Sequence, residues 1–156
     1  MVPGDWKSAE MKKPIILIWV SLILIISGCM STQEQKKIQK VCFNENCYSV
    51  ELAQTDEQRQ TGLMGREHLD KDKGMLFIYE DDGVYTFWMK NTLIPLDMIW
   101  IDKNATVARI IKNAEPCGKE YCPSINPNKK AKYVLEINGG EADRIGLAEG
   151  SRLVFV

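Results

Sequence analysis

The chain has 156 residues, which is enough for one domain and a leader segment. Hydrophobic residues make up 45% and charged residues 26%, as in ordinary globular proteins. The net charge of −1 argues against the basic surface on which nucleic-acid binding depends, and no glycine loop of a nucleotide-binding motif is present. We therefore expect neither a nucleic-acid partner nor a cofactor.

A leader occupies the N-terminal part, where residues 11–29 read MKKPIILIWVSLILIISGC. A basic start, an apolar run of about a dozen residues and a small-residue end follow in the order of a secretory signal, and the run is shorter than a membrane span. Residues 26–29 (ISGC) resemble a bacterial lipobox, which implies that Cys29 is acylated. The alternative is an uncleaved N-terminal anchor helix. Both predict an extracytoplasmic, membrane-anchored chain, with residues 1–28 as leader and Met11 as the true start.

Residues 29–40 are polar and are expected to form a linker to one β-rich domain at residues 41–156. Its four cysteines form two equally spaced pairs, Cys42 with Cys47 and Cys117 with Cys122. An even cysteine count in an exported domain favours disulfides, and we prefer local pairing because turn residues lie inside each pair. Cross-pairing and a four-cysteine zinc site are the alternatives, although four intervening residues are at the edge of the zinc range. No metal is expected.

The secondary-structure signals begin with a hairpin of residues 41–43 and 48–52. Thr55 and Gln58 match a capping box, so a helix is expected from there to Met64, with Gly65 ending it. Further strands are predicted at the apolar runs, followed by a short helical turn at residues 141–145 before the last strand; the strand runs are 74–79, 84–90, 96–101, 106–111, 133–137 and 153–156. Residues 80–83 are read as a turn. These elements predict a mainly β (α+β) fold, a compact small barrel or sandwich with one or two short helices.

The stretch FWMKNTLIPLD at residues 87–97 carries the strongest site signal. In a strand, Trp88 and Lys90 share one face, with Asn91 at its end, and pairing with the next strand would bring Lys90 close to Asp97. An aromatic ring among such polar groups is typical of sites for small polar ligands and sugars. The alternative is structural: an ion pair that fixes the loop, with Trp88 in the core.

Two further charged residues are candidate members of this site. Arg66 follows the predicted helix end and could point over the sheet. Glu136 lies in mid-strand among apolar residues, where an acid normally needs a partner. Either charge could equally be solvated or paired for structural reasons.

Four motifs together resemble the domain-of-unknown-function family 192: GLMGR at 62–66, GMLF at 74–77, FWMKNTLIPLD at 87–97 and YVLEINGG at 133–140. The loop AEPC…CP at 114–123 is similar to that of its exported members. The resemblance implies an exported or membrane-anchored β-rich domain, and it assigns no catalytic residues because the family's biochemical role is unassigned. It places the six candidate residues on signature positions: Arg66, Trp88, Lys90, Asn91, Asp97 and Glu136.

The leading functional hypothesis is an extracytoplasmic, lipid-anchored binding or accessory module rather than an enzyme. It would bind a small polar or glycan-like ligand, or an envelope partner, through these six residues. A hydrolase or lyase with Asp97 and Glu136 as acid and base is the second hypothesis. A purely structural envelope protein is the third.

Overall fold

Residues 38–156 are described by a computed structural model, and seven strands in this part of the chain form one curled, half-barrel sheet. The leader, Cys29 and most of the predicted linker lie outside the described residues, so what was predicted for them stays a prediction. The predicted mainly β fold with short helices is confirmed. No helix within residues 38–156 combines the length and the apolarity needed to cross a bilayer.

The strands are short, and all but one neighbouring pair are antiparallel. In chain order they are β1 Lys40–Phe43, β2 Asn46–Ala53, β3 Lys73–Gly83, β4 Leu96–Ile101, β5 Val107–Ala114, β6 Ala131–Asn138 and β7 Val154–Phe155. The sheet order is β5-β4-β6-β3-β2-β1-β7, and only β2 and β3 run parallel. The two helices are α1, Asp56–Thr61, and α2, Glu141–Arg144.

Strands β4 and β6 are buried along most of their length, because both faces of the sheet are covered there. One face packs against α2 and the C-terminal segment through a core that includes Ile99 and Ile137. The other face carries a second core that includes Met98 and Trp100. Alternation therefore assigns successive residues of these two strands to different cores.

The two edges of the sheet approach each other at the start of β5. The backbone N–H of Val107 donates to the carbonyl of Ser151 at 2.8 Å, and the N–H of Leu153 donates to the carbonyl of Ala105 at 2.8 Å. These bonds pair the edge strand β5 with the segment that leads into β7. Pairing of this kind protects backbone groups that an open sheet would leave exposed.

Both disulfides are local, as predicted. Cys42 and Cys47 face each other across the β1–β2 hairpin, and Cys117 bonds to Cys122 in the loop after β5. The zinc alternative is therefore wrong. Within residues 38–156, no group of three or more metal-ligating side chains could hold a metal ion.

Three predicted elements differ from the structure. The helix begins as predicted, with the Thr55–Gln58 capping box formed, but it ends at Thr61 because Gly62 already adopts a positive φ of 48°. Residues 80–83 continue β3 past a register shift instead of forming a separate turn. Residues 84–90 are extended but form only isolated bridges, so they are not a strand.

Candidate functional site

The segment of residues 84–91 is held against the sheet by its aromatic side chains. The rings of Tyr79 and Tyr85 stack with centroids 3.4 Å apart. Phe87 makes edge contacts with Phe77 at 4.9 Å and with Trp100 at 5.5 Å. Because Phe87 points inward, the neighbouring Trp88 points outward, and it is 47% exposed. The predicted alternation of faces is therefore present even though the strand is not.

The disulfide loop lies along the other side of this segment. The N–H of Phe87 donates to the carbonyl of Ile125 at 3.0 Å, and the N–H of Ile125 returns a bond to Phe87 at 2.7 Å. Farther along, the N–H of Cys117 donates to the carbonyl of Met89 at 3.1 Å. The Cys117–Cys122 bond closes the loop between these contacts. The loop is thus fixed beside Trp88 by backbone bonds as well as by the disulfide.

Helix α1 supplies the opposite wall through Arg59. Its guanidinium donates to the carbonyls of Gln54 at 2.6 Å and Ile78 at 2.9 Å, and it pairs with Asp56 at 2.5 Å. The same group lies 5.1 Å from the centroid of the Tyr79 ring. Three acceptors and an aromatic face hold Arg59 in one position, so this wall is built in advance of any ligand.

A groove of about 560 Å³ lies between these walls. This volume is within the range of about 300–1,000 Å³ typical of small-molecule sites. Aromatic rings and short polar side chains alternate around it; the lining residues are Asp56, Arg59, Gln60, Tyr79, Thr86, Phe87, Trp88, Tyr121, Cys122 and Ser124. The groove offers a ring face at Trp88 together with hydrogen-bonding groups close by.

A small recess of about 30 Å³ adjoins the groove and shares Arg59, Gln60, Phe87 and Trp88 with it. Glu136 lines this recess and is only 4% exposed. Burial raises the pKa of Glu136 to about 8, with no contribution from a hydrogen bond or a nearby charge. No hydrogen bond or charge among the described residues offsets this burial, so the carboxyl is held largely protonated at neutral pH. Since no fully buried side-chain polar atom among these residues lacks a partner, the carboxyl oxygens are open to the recess.

Two of the predicted site residues meet in this recess, namely Trp88 and Glu136. Lys90 is close to the first of them, with its Nζ 5.4 Å from the Trp88 ring centroid. Asn91 has a structural position: it adopts a positive φ of 56°, and its carbonyl accepts a bond from the N–H of Gly65 at 2.9 Å. Asparagine tolerates this left-handed conformation better than most residues.

The prediction that Asp97 lies beside Lys90 is wrong. Asp97 is fully buried, and its carboxylate accepts bonds from the backbone N–H groups of Asn113 at 2.7 Å, Gly140 at 3.0 Å and Ala142 at 2.7 Å. The N-cap of α2 is Gly140, which has no side chain to cap the helix. Asp97 caps it instead, from strand β4.

Asp97 and Glu136 also cannot share a cleft. In the β4–β6 register, Asp97 is opposite Ile137, and Glu136 is opposite Met98. Cross-strand partners lie on the same face of a sheet, and successive residues alternate between faces. The two carboxyl groups therefore point to opposite faces, and the acid–base pair of the second hypothesis does not form.

Arg66 also lies away from the Trp88 groove. It forms a two-pronged ion pair with Glu51, at 2.5 and 2.6 Å, in a separate hollow of about 340 Å³ on the other side of α1. This pair lowers the pKa of Glu51. The local sequence does not predict this partner, because Glu51 lies on β2, 15 residues earlier in the chain.

Several lining residues were missed by sequence reasoning, Arg59 and Tyr79 above all. Arg59 looks like an ordinary solvent-facing helix residue, and Tyr79 looks like the end of an apolar strand. Their shared position depends on how α1 packs over β3, which no short window of sequence contains. Tyr121 and Ser124 lie in a loop, where no sequence pattern predicts which way a side chain points.

Within residues 38–156, the fold and the groove define a β-rich domain with an aromatic-walled groove. A family model matches residues 39–155, and the chain belongs to that family, DUF192, described as an uncharacterized ACR. The family prediction is thereby confirmed. A comparison with curated proteins gave no match.

Two solved structures are similar to the chain. One is a protein of Sinorhizobium meliloti 1021 described as a "putative transcription regulator", with 36% identity over 74% of this chain and 90% of that one, and a TM-score of 0.68. The other is a protein of unknown function from Novosphingobium aromaticivorans DSM 12444, with 34% identity over 74% of this chain and 82% of that one, and a TM-score of 0.67.

Proposed function

We propose that this protein is an extracytoplasmic, membrane-anchored binding module whose groove at Trp88 holds a small polar ligand of the glycan type. The observation that carries the proposal is the half-exposed Trp88 ring on the wall of a 560 Å³ groove lined by polar groups. A sugar binds such a site by placing its apolar ring face on the indole and its hydroxyls on the polar groups.

The location is supported by chemistry in the domain and in the leader. Two local disulfides, Cys42–Cys47 and Cys117–Cys122, persist most readily in an oxidising, extracytoplasmic compartment. The leader resembles a lipoprotein signal ending at Cys29. The Sinorhizobium relative is described as a "putative transcription regulator", but the net charge of −1 gives no electrostatic reason to propose nucleic acid as the ligand here.

The binding proposal is tested by retention of the full chain, in mild detergent, on immobilised neutral glycans from a bacterial cell envelope. Trp88→Ala should abolish retention and leave the near-ultraviolet circular dichroism of the buried aromatics intact. Leu93→Ala is the matched control, because Leu93 is an apolar residue of similar exposure, 52%, outside the groove lining. Equal retention of the Trp88 variant and the wild type would refute the proposal.

Membrane anchoring is tested separately. In a bacterial host fed labelled palmitate, the wild-type chain should carry the label and Cys29→Ser should not. Both chains should have two intact disulfides if the domain is exported. Label in neither chain, with the protein still in the membrane fraction, would favour the uncleaved anchor helix.

A further inference from the structure

The buried carboxyl of Glu136 lies at the centre of the sheet. In the ladder it is opposite Met75 of β3 on one side and Met98 of β4 on the other. Its carboxyl faces the recess, where a Cβ placed on Gly62 would come within 4.0 Å of Oε2. Gly62 thus leaves room next to the acid.

The size of the recess limits what can reach this carboxyl. A water molecule needs roughly 10–15 Å³ measured in this way, so about 30 Å³ admits one small polar group and not a ring. The adjoining groove of about 560 Å³ has room for a ring against Trp88. A ligand that fits both spaces has a ring with a single hydroxyl-sized substituent directed inward.

The charged and titratable groups around the carboxyl favour an uncharged substituent. Arg59 of α1 lines the recess, and Tyr79 of β3 is close enough to interact electrostatically with Glu136. The remaining polar residues of the recess lining, Gln60, Thr61 and Thr92, do not titrate. A ligand ammonium would meet the Arg59 guanidinium, and a ligand carboxylate would gain little from that guanidinium because Arg59 is already paired with Asp56. A neutral carboxyl, by contrast, both donates and accepts a hydrogen bond, as a hydroxyl does.

On the basis of the proposed function, we propose that Glu136 is the specificity-determining residue of the groove. It binds one hydroxyl of a neutral, polyhydroxylated ring that stacks on Trp88. The acid would recognise the hydroxyl by exchanging a donor and an acceptor with it in the recess. A ligand without this hydroxyl leaves the buried carboxyl without a hydrogen-bond partner, and it should therefore bind poorly. The protonated state of Glu136 is consistent with this role, since burial raises its pKa to about 8.

The test measures calorimetric affinities of the full chain in mild detergent for methyl glycosides of glucose, galactose, mannose and N-acetylglucosamine, with glucosamine as the charged probe. For the tightest neutral probe, Glu136→Gln should keep the affinity within about threefold, because the amide also donates and accepts. Glu136→Met should lose about 10- to 100-fold, because it removes both bonds. The mono-deoxy derivative lacking the inward hydroxyl should weaken binding to the wild type but not to the methionine variant.

The pH profile gives a second, independent readout. Wild-type affinity should be constant from pH 6 to about 7 and should fall above pH 8, where Glu136 loses its donor; the glutamine variant should show no such fall. Tyr79 does not interfere, because burial raises its pKa to about 12. Tighter binding of glucosamine at pH 6 would show a cation site, and affinity for the neutral probe that rises through pH 8 would show that the ionised carboxylate is the binding form. Either result would overturn the inference.

The inference and the proposed function fail in different ways. If the wild type binds and Trp88→Ala abolishes binding while both Glu136 variants bind as the wild type does, only the role of Glu136 is refuted. If the wild type binds none of the neutral probes, the glycan proposal is refuted and the inference with it.

Discussion

Replacing Glu136 by glutamine should make the stability of the domain much less dependent on pH. In the folded state, burial raises the pKa of the Glu136 carboxyl to about 8 from an ordinary value of 4.5. Between these values the unfolded chain ionises and the folded chain keeps its proton. The contribution of Glu136 to stability is therefore fully present below pH 4.5 and is lost progressively as the pH rises to 8. Glutamine does not titrate, so the variant lacks this loss.

The magnitude follows from the distance between the two pKa values. Each pH unit across the interval from 4.5 to about 8 is worth about 1.36 kcal/mol, so the complete loss is about 5 kcal/mol. Most of this loss of stability falls in a pH range that the unfolding assay can reach. The difference in free energy of unfolding between Glu136→Gln and the wild type should grow by about 2–3 kcal/mol from pH 5 to pH 7.

The assay is urea unfolding of the full chain in non-ionic detergent at pH 5, 6, 7 and 8, followed by tryptophan fluorescence, to which the fully buried Trp100 contributes. Glu51 and Glu141 have lowered pKa values because they pair with Arg66 and Arg144, so they weaken the fold as the pH falls. These contributions are common to both proteins and cancel in the difference. Glu67→Gln, at an exposed position, is the control for replacing a solvent-exposed glutamate by glutamine. A difference that stays constant with pH would show that Glu136 is not held protonated.

Three further predictions concern the frame of the site, and urea unfolding at pH 7 checks each. Asp97→Ala should lower the free energy of unfolding by about 3–5 kcal/mol, because three backbone N–H groups, one in a buried bond and two in part-buried bonds, lose a charged acceptor; Asp97→Asn should lose less. Removing the second disulfide with Cys117→Ser and Cys122→Ser should cost about 2 kcal/mol, the chain-entropy value for so short a loop, and little change would show that backbone bonds alone hold it. Gly62→Ala should cost about 1–3 kcal/mol, because φ is +48° and the new Cβ would lie 3.3 Å from the Phe77 ring; a neutral result would show that the turn relaxes.

Local signals predict the parts of the fold that local forces determine. The Thr55–Gln58 capping box forms because its donors and acceptors are three residues apart. The Cys42–Cys47 disulfide forms across a two-residue turn in which Asn44 takes a positive φ of 52°. Strand β4 is predicted with both its ends, since an unbroken apolar run is typical of a strand buried on both faces.

The wrong predictions have a common physical cause, which is dependence on distant partners. Alternation at residues 84–90 correctly separates inward Phe87 from outward Trp88, but alternation reports side-chain direction and not ladder bonding. Asp97 caps a helix that begins 43 to 45 residues later in the chain. Pairing of its strand with the segment before it would bring its acidic side chain to Lys90 and suggests an ion pair, whereas three backbone N–H groups bind it instead.

Glu136 is the position where folding alone does not explain the residue. Its cross-strand neighbours on the same face are Met75 and Met98, and a methionine there would pack without a polar atom to satisfy. The acid instead costs the folded state up to about 5 kcal/mol above pH 8, a large share of the 5–15 kcal/mol that a domain typically has. Unfavourable groups of this kind concentrate at functional sites. The acid lines a recess that adjoins an aromatic groove, and the proposed ligand binding would account for both its burial and its lack of a hydrogen-bond partner in the fold.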